Sequence, residues 1–123
     1  MFAVQLIAVV DDDPSILRAL RRLLRLADFN VKTFGSGEEL LGWEALVTID
    51  CLVLDVNLAG LSGFDVQERL ADRGLAIPIV FITAHDDAAT RERAERAGGA
   101  RYLRKPFDEH ALIEEIQKAL AGA

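Results

Sequence analysis

The sequence has a single cysteine and fewer basic than acidic residues, which gives a net charge of −6. One cysteine cannot form an internal disulfide, so the reducing cytoplasm is the expected location. The acidic balance argues against nucleic-acid binding by this chain, because phosphate contacts need clustered lysine and arginine. No uncharged apolar run approaches the roughly 18 residues that a membrane span needs, and Met1-Phe2-Ala3 lacks the basic start of a signal peptide. We therefore expect no membrane contact either.

The 123 residues are enough for one domain with a substantial core and too few for two ordinary domains. No linker, repeat or low-complexity segment divides them, so we predict a single domain over residues 1–123. One predicted helix carries a cluster of positive charge, formed by Arg18, Arg21, Arg22 and Arg25. An apolar stripe shares that helix, so we interpret the arginines as its solvated face in preference to a phosphate-binding patch.

Apolar segments alternate with helical patterns along the chain, which is typical of a parallel sheet with helices on both faces. Strands are predicted at residues 4–10, 29–34, 50–55, 77–83 and 100–104. Helices are predicted from Pro14 to about Ala27, from Ser36 to about Trp43, from Phe64 to near Gly74, from Asp86 or Asp87 to Gly98-Gly99, and along the stripe Leu112, Ile113, Ile116 and Leu120. The pattern predicts an α/β fold with a doubly wound, five-stranded parallel sheet and five flanking helices. The two most apolar strands, 4–10 and 50–55, are expected to be central neighbours.

Two of the predicted helices have recognisable starting signals. Asp13 can cap the first helix, with Pro14 at the first helical position. Ser36, with Glu39 three residues later, has the spacing of a capping box at the start of the second helix. These signals fix where both helices begin, independently of the hydrophobic pattern.

Polar residues lie at the carboxyl ends of four predicted strands. The first strand is followed by Asp11 and Asp12, the third ends in Asp55, the fourth ends in Thr83, and the fifth is followed by Lys105. The carboxyl ends of parallel strands lie at one edge of the sheet, where open α/β sheets bind ligands. We therefore expect these five side chains to meet, with the three acids lining the crevice between the two central strands.

The chemistry of this set points to phosphoryl transfer. Three neighbouring carboxylates raise one another's pKa unless a cation is present, and ligands that are all oxygen favour Mg²⁺ over zinc. Lys105 adds a compact positive charge suited to phosphate oxygens, and Thr83 adds a hydroxyl donor. Asp55 is of a residue type that forms acyl phosphates. No glycine-rich phosphate-binding loop is present, so the phosphoryl donor is not expected to be a nucleotide bound by this chain.

Four separated motifs carry a resemblance to a known family. They are Val9-Val10-Asp11-Asp12-Asp13-Pro14 followed by Arg18, Leu54-Asp55-Val56-Asn57-Leu58 followed by Gly63, Phe81-Ile82-Thr83-Ala84, and Lys105-Pro106-Phe107. With these motifs in this order, essentially the whole chain resembles the receiver domain of two-component response regulators. The resemblance implies a flavodoxin-like fold with strand order 2-1-3-4-5. It also implies that Asp55 accepts a phosphoryl group from the phosphohistidine of a sensor kinase.

The resemblance implies a magnesium site around the acceptor. Asp12 and Asp55 would bind Mg²⁺ through their side chains, Asn57 through its backbone carbonyl, and Asp11 through a coordinated water. The sequence departs from the family at Leu58-Ala59, where most receivers have Met-Pro. Without that proline the loop is expected to be looser and to hold the metal less firmly through Asn57.

The resemblance also implies a switch that responds to phosphorylation. Thr83 would close toward the phosphoryl group, and Tyr102 matches the aromatic residue that moves inward on activation. A cis Lys105–Pro106 peptide bond would aim the ammonium at the pocket. Asn57 and His85 match positions that tune the rate at which receivers hydrolyse their own acyl phosphate. We expect no enzymatic activity beyond self-phosphorylation from a donor and autodephosphorylation.

The expected partners are a sensor histidine kinase or phosphotransfer protein, and a downstream protein or second copy. The downstream partner would dock on the face formed by the helix at 87–97, the strand at 100–104 and the last helix. An alternative is the receiver half of a transcription factor whose DNA-binding domain lies outside this chain. Another is a small Mg²⁺-dependent phosphohydrolase of the aspartyl-phosphate type, which would need a lid that 123 residues do not provide.

Overall fold

The computed structural model describes residues 4–85, 87–96 and 101–122, and five parallel strands form its single sheet. The strands are β1 (Leu6–Val10), β2 (Asn30–Phe34), β3 (Cys51–Asp55), β4 (Ile79–Thr83) and β5 (Arg101–Arg104). The helices are α1 (Pro14–Leu26), α2 (Gly37–Leu41), α3 (Gly63–Asp72), α4 (Ala88–Arg96) and α5 (Glu109–Gly122), with a short 3₁₀ turn at Leu46–Thr48. None of the helices in these ranges is both long and apolar enough to cross a membrane.

The strands lie in the order β2-β1-β3-β4-β5, which confirms the predicted topology and the central pair β1 and β3. Val10 pairs with Leu54, and Asp55 pairs with Ile82. Asp11 follows β1 directly, so the register places it beside Asp55 at the carboxyl edge of the sheet. Strand pairing alone therefore brings the acids of two strands together.

Two apolar cores lie on the two faces of the sheet. On one face, α1 and α5 cover side chains such as Ile7, Val53 and Ile82. On the other, α2, α3 and α4 cover side chains such as Leu52 and Phe81. The central strands are buried on both faces because each is a continuous apolar run. The four α1 arginines are exposed, as predicted for a solvated helix face.

The capping signals are confirmed for α1 and modified for α2. Asp13 accepts from the Ser15 N–H at 2.9 Å, with Pro14 opening the helix. Ser36 accepts from the Glu39 N–H at 3.1 Å, but the Glu39 carboxylate accepts from the Gly35 N–H and not from Ser36. A reciprocal capping box occurs instead at α3, between Ser62 and Asp65.

The element boundaries differ from the prediction in a few places. The fourth strand begins at Ile79 and not at residue 77, because Pro78 has no N–H to donate to a neighbouring strand. The second helix ends at Leu41, and Trp43 instead packs its ring 5.6 Å from that of Phe34. For the fourth helix, Asp87 accepts from the Thr90 N–H at 2.7 Å, in agreement with a start there. Asp86, Gly98-Gly99 and residue 100 lie outside the described residues.

Cys51 is expected to be inert in the folded protein. It is fully buried at the start of β3, and burial raises the pKa of its thiol to about 12. Because the thiolate is the reactive form, a disulfide reagent at about pH 8 should modify Cys51 only as fast as the chain unfolds. Modification releases the thiolate of the reagent, which is followed by absorbance, and the rate of this release should rise steeply when urea is added. Rapid stoichiometric modification without denaturant would contradict this burial.

Candidate functional site

Lys105 lies between two buried carboxylates at the carboxyl edge of the sheet. Its Nζ is 2.8 Å from Asp11 Oδ2 and 3.0 Å from Asp55 Oδ2. The side chains of Asp11, Asp55 and Lys105 are 1%, 5% and 18% exposed. Two acids from adjacent central strands therefore share one ammonium group, at a place with little access to water.

The two buried acids are held in the same way. Asp11 Oδ1 accepts from the Asp13 N–H at 2.9 Å, and Asp55 Oδ1 accepts from the Asn57 N–H at 3.0 Å. In each carboxylate the second oxygen is the one that accepts from Lys105. These bonds fix the direction of both carboxylates, because each has its two oxygens bound from different sides.

Burial raises the pKa of Asp55, and the charge of Asp11 adds to this rise. The Asn57 N–H and Lys105 oppose the rise without cancelling it. Burial lowers the pKa of Lys105, but its bonds to the two carboxylates outweigh burial and raise the pKa overall. The lysine therefore stays charged, whereas burial disfavours the ionised form of Asp55.

The third acid completes a cluster that can hold a divalent cation. Oxygen atoms of Asp11, Asp12 and Asp55 lie within 4.8 Å of one another, and Asp12 is exposed. Three carboxylates against one lysine leave excess negative charge on the solvent side. All the donors are oxygen, and the open side leaves room for bound water. This donor set fits Mg²⁺, which keeps several waters and prefers carboxylate oxygen.

Thr83 lies at the end of β4 and is linked to the residue two positions after Asp55. Its hydroxyl donates to Asn57 Oδ1 at 2.7 Å and accepts from the His85 N–H at 3.0 Å. The side chain is fully buried. The structure thus brings Thr83 and Asn57 together at the edge of the sheet that carries Asp55.

The last two predicted residues lie on and after β5. Tyr102 is half-buried, pairs in register with Phe81, and packs against the core that α2, α3 and α4 cover. The Lys105–Pro106 peptide bond is cis, and the Lys105 N–H donates to the Thr83 carbonyl at 2.7 Å. Backbone pairing at the end of β4 therefore positions the lysine that reaches Asp11 and Asp55.

Two features of the loop after β3 shape the site through backbone contacts that the sequence pattern does not predict. Gly63, the first residue of α3, donates to the Val56 carbonyl at 3.0 Å, and a Cβ there would lie 2.5 Å from the Asp55 carbonyl oxygen. Only glycine lets α3 start so close to the Asp55 backbone. The Ala59 N–H donates to Asp12 Oδ2 at 3.3 Å. A proline at position 59 could not make this bond.

The chain matches the response regulator receiver domain family over residues 7–117. It belongs to this family, and the sheet order and the acid–lysine cluster described above are consistent with that membership. The wider comparisons agree: similar proteins are response regulators, and similar structures are receiver domains.

Among the relatives, the response regulator protein TmoT of Ectopseudomonas mendocina is 40% identical over 114 residues, covering 93% of this chain and 52% of TmoT. Nodulation protein W of Bradyrhizobium diazoefficiens is 41% identical, covering 93% of this chain and 50% of that protein. The chain spans about half the length of these curated relatives.

Solved structures show the same similarity. The response regulator StyR has a TM-score of 0.88 and 44% identity, covering 97% of this chain and 60% of StyR. A receiver protein from Burkholderia phymatum has a TM-score of 0.81 and 45% identity, covering 95% of each chain. The flavodoxin-like arrangement that the resemblance implied is therefore confirmed.

Proposed function

We propose that the chain is a phosphoacceptor that takes a phosphoryl group onto Asp55 from the phosphohistidine of a sensor kinase or phosphotransfer protein. The observation that carries the proposal is the ammonium of Lys105 between the carboxylates of Asp11 and Asp55. Asp55 is the buried acid that ends the central strand β3, and bonds from the Asn57 N–H and Lys105 hold its carboxylate in a fixed direction.

The proposed transfer needs little covalent chemistry from the protein. An oxygen of the Asp55 carboxylate attacks phosphorus, the phosphorus–nitrogen bond breaks, and its electron pair returns to the imidazole of the donor. Mg²⁺ would be held by Asp12, Asp55 and the Asn57 carbonyl, and by Asp11 through a water, and it would neutralise charge on the phosphoryl oxygens. Lys105 contributes its positive charge, and the Thr83 hydroxyl can turn from Asn57 toward a phosphoryl oxygen.

The helix α4 is the element whose position we expect to respond. Ala94 is its one buried residue among those described, so few apolar contacts hold it to the sheet. Arg93 adds a polar attachment, with its guanidinium 4.7 Å from the centre of the Phe64 ring and 3.8 Å from Glu68. A helix with so little buried surface can change its position at a small cost in free energy. We propose that the face of α4, β5 and α5, including Tyr102, binds a downstream protein or a second copy.

A second candidate follows from the length of the relatives. Transcriptional regulatory protein TdiR of Thauera aromatica is matched over 50% of its length, and DNA-binding transcriptional regulator NtrC of Salmonella typhimurium over 24%. The chain could accordingly act as the receiver part of a transcription regulator. In either case we propose that residues 1–123 form one receiver unit that works in the cytoplasm. We propose that it catalyses only its own phosphorylation and dephosphorylation, and that it does not itself bind DNA.

Labelling with a small phosphodonor tests the proposal. Wild-type protein incubated with acetyl phosphate and Mg²⁺ should gain the mass of one phosphoryl group in intact-protein mass spectrometry. Excess chelator should reduce the labelling rate by at least about tenfold, because the acids are then left without their cation. Equal rates in chelator would remove the metal from the mechanism. Sustained release of phosphate from a range of monoesters would instead favour a phosphohydrolase.

A further inference from the structure

Each acid of the cluster has one carboxylate oxygen held by a backbone N–H. For Asp11 and Asp55 the donor is the N–H two residues further along the same turn. For Asp12 the donor is the Ala59 N–H, 47 residues away in the loop after β3. Asp12 is exposed and is the acid that lacks a bond to Lys105 in the contacts above. The Ala59 N–H therefore gives Asp12 a backbone hydrogen bond, as local turns do for the other two acids.

This contact matters because of where Asp12 lies. It is the solvent-side member of the cluster, and an exposed carboxylate rotates freely unless something holds it. A carboxylate has two oxygens, so an N–H on Oδ2 leaves the other oxygen for a cation. Partners that orient a metal ligand in this way commonly change metal affinity by about 10- to 100-fold when they are removed.

We propose that the Ala59 N–H is a positioning group for Asp12, and that alanine in place of proline at this position strengthens the hold of the cluster on Mg²⁺. This inference rests on the proposed function, since it assumes that the acids bind Mg²⁺. It reverses the expectation from sequence that a loop without proline binds metal less firmly. The loop loses the stiffness of proline and gains a hydrogen bond of 3.3 Å from the loop after β3 to Asp12 at the end of β1.

Two substitutions at position 59 separate the two explanations. Ala59→Pro removes the N–H and stiffens the loop, whereas Ala59→Gly keeps the N–H and loosens it. If the N–H positions Asp12, Mg²⁺ affinity should fall about tenfold in Ala59→Pro and stay within about twofold of wild type in Ala59→Gly. If stiffness dominates, Ala59→Pro should bind more tightly and Ala59→Gly more weakly. Isothermal titration calorimetry with Mg²⁺ measures both.

A second measurement covers the case in which Ala59→Pro disturbs the buried Leu58 beside it. In wild-type protein, the Ala59 amide proton should resonate downfield in NMR spectra, and Asp12→Asn should move it upfield. An Ala59 amide that is insensitive to Asp12→Asn would overturn the inference without any change at position 59. Melting temperatures without Mg²⁺ show whether each variant is folded.

The outcomes also separate this inference from the proposed function. If wild-type protein fails to bind Mg²⁺ at millimolar concentration, the metal site itself is wrong. If wild type binds Mg²⁺ and Ala59→Pro binds it equally well or better, the metal site stands and the positioning role of the Ala59 N–H is wrong.

Discussion

Asp55→Asn is expected to remove all phosphoryl labelling and, at the same time, to stabilise the folded chain at neutral pH. Asparagine has nearly the same shape but no nucleophilic carboxylate, so no acyl phosphate can form. Burial raises the pKa of Asp55, which means that folding disfavours its ionised form. At a pH above that pKa, the charged side chain lowers the free energy of unfolding. A neutral amide removes this penalty and leaves Lys105 paired with Asp11.

Intact-protein mass spectrometry and urea unfolding at neutral pH measure the two effects. Labelling should fall below detection, and the urea midpoint should rise. Asp13→Asn is a matched control, because Asp13 is an exposed neighbouring acid whose capping bond to Ser15 asparagine can also make. It should keep both the labelling and the midpoint of the wild type. Full labelling of Asp55→Asn would show that another residue is the acceptor.

The architecture was predictable because the apolar runs are unambiguous. The segments around Val9 and Val53 contain no polar residue that could face water, so they had to be central strands buried on both sides. Once these strands are parallel and adjacent, their carboxyl ends lie at one edge. The meeting of Asp11 and Asp55 therefore follows from strand order and register alone.

The individual bonds of the site could not be predicted in the same way. Lys105 reaches Asp11 across 94 residues and Asp55 across 50, and the choice of oxygen atoms depends on register and on the path of the loop after β5. The bond from Ala59 to Asp12 uses a backbone N–H, which every residue except proline has. The sequence showed that a proline was missing at this position but could not show what the freed N–H contacts.

The close approach of Gly63 to Asp55 is a similar case. In the sequence, Gly63 serves as loop punctuation and as part of a family motif. In the structure, a Cβ at this position would meet two backbone positions, the Asp55 carbonyl at 2.5 Å and the Val56 Cα at 2.9 Å. Hydrophobic periodicity reports on side chains and cannot predict a contact between two backbones. This contact depends on how α3 is placed relative to the end of β3.

Lys105→Met is expected to cost stability as well as phosphoryl transfer. Methionine keeps most of the apolar stem but removes the positive charge, so Asp11 and Asp55 would face each other without the cation that now lies between them. Removing one member of a buried ion pair typically costs about 3–5 kcal/mol. We expect a loss of about 3 kcal/mol in the free energy of unfolding without Mg²⁺, measured by urea unfolding. The rate of labelling by acetyl phosphate should also fall in Lys105→Met, because the phosphoryl oxygens lose the positive charge of the Lys105 ammonium.

The double variant Lys105→Met with Asp55→Asn tests the cause of this loss. It should be more stable than Lys105→Met alone, because only one buried carboxylate then lacks a partner, and the two changes should be strongly non-additive. Lys118→Met is the matched control, since Lys118 is exposed and lies 3.6 Å from Glu115 in a surface pair. Such pairs contribute about 0–1 kcal/mol. If Lys105→Met unfolds at the same urea concentration as Lys118→Met, the two buried acids do not depend on Lys105 for compensation. Another group would then have to neutralise them before Mg²⁺ binds.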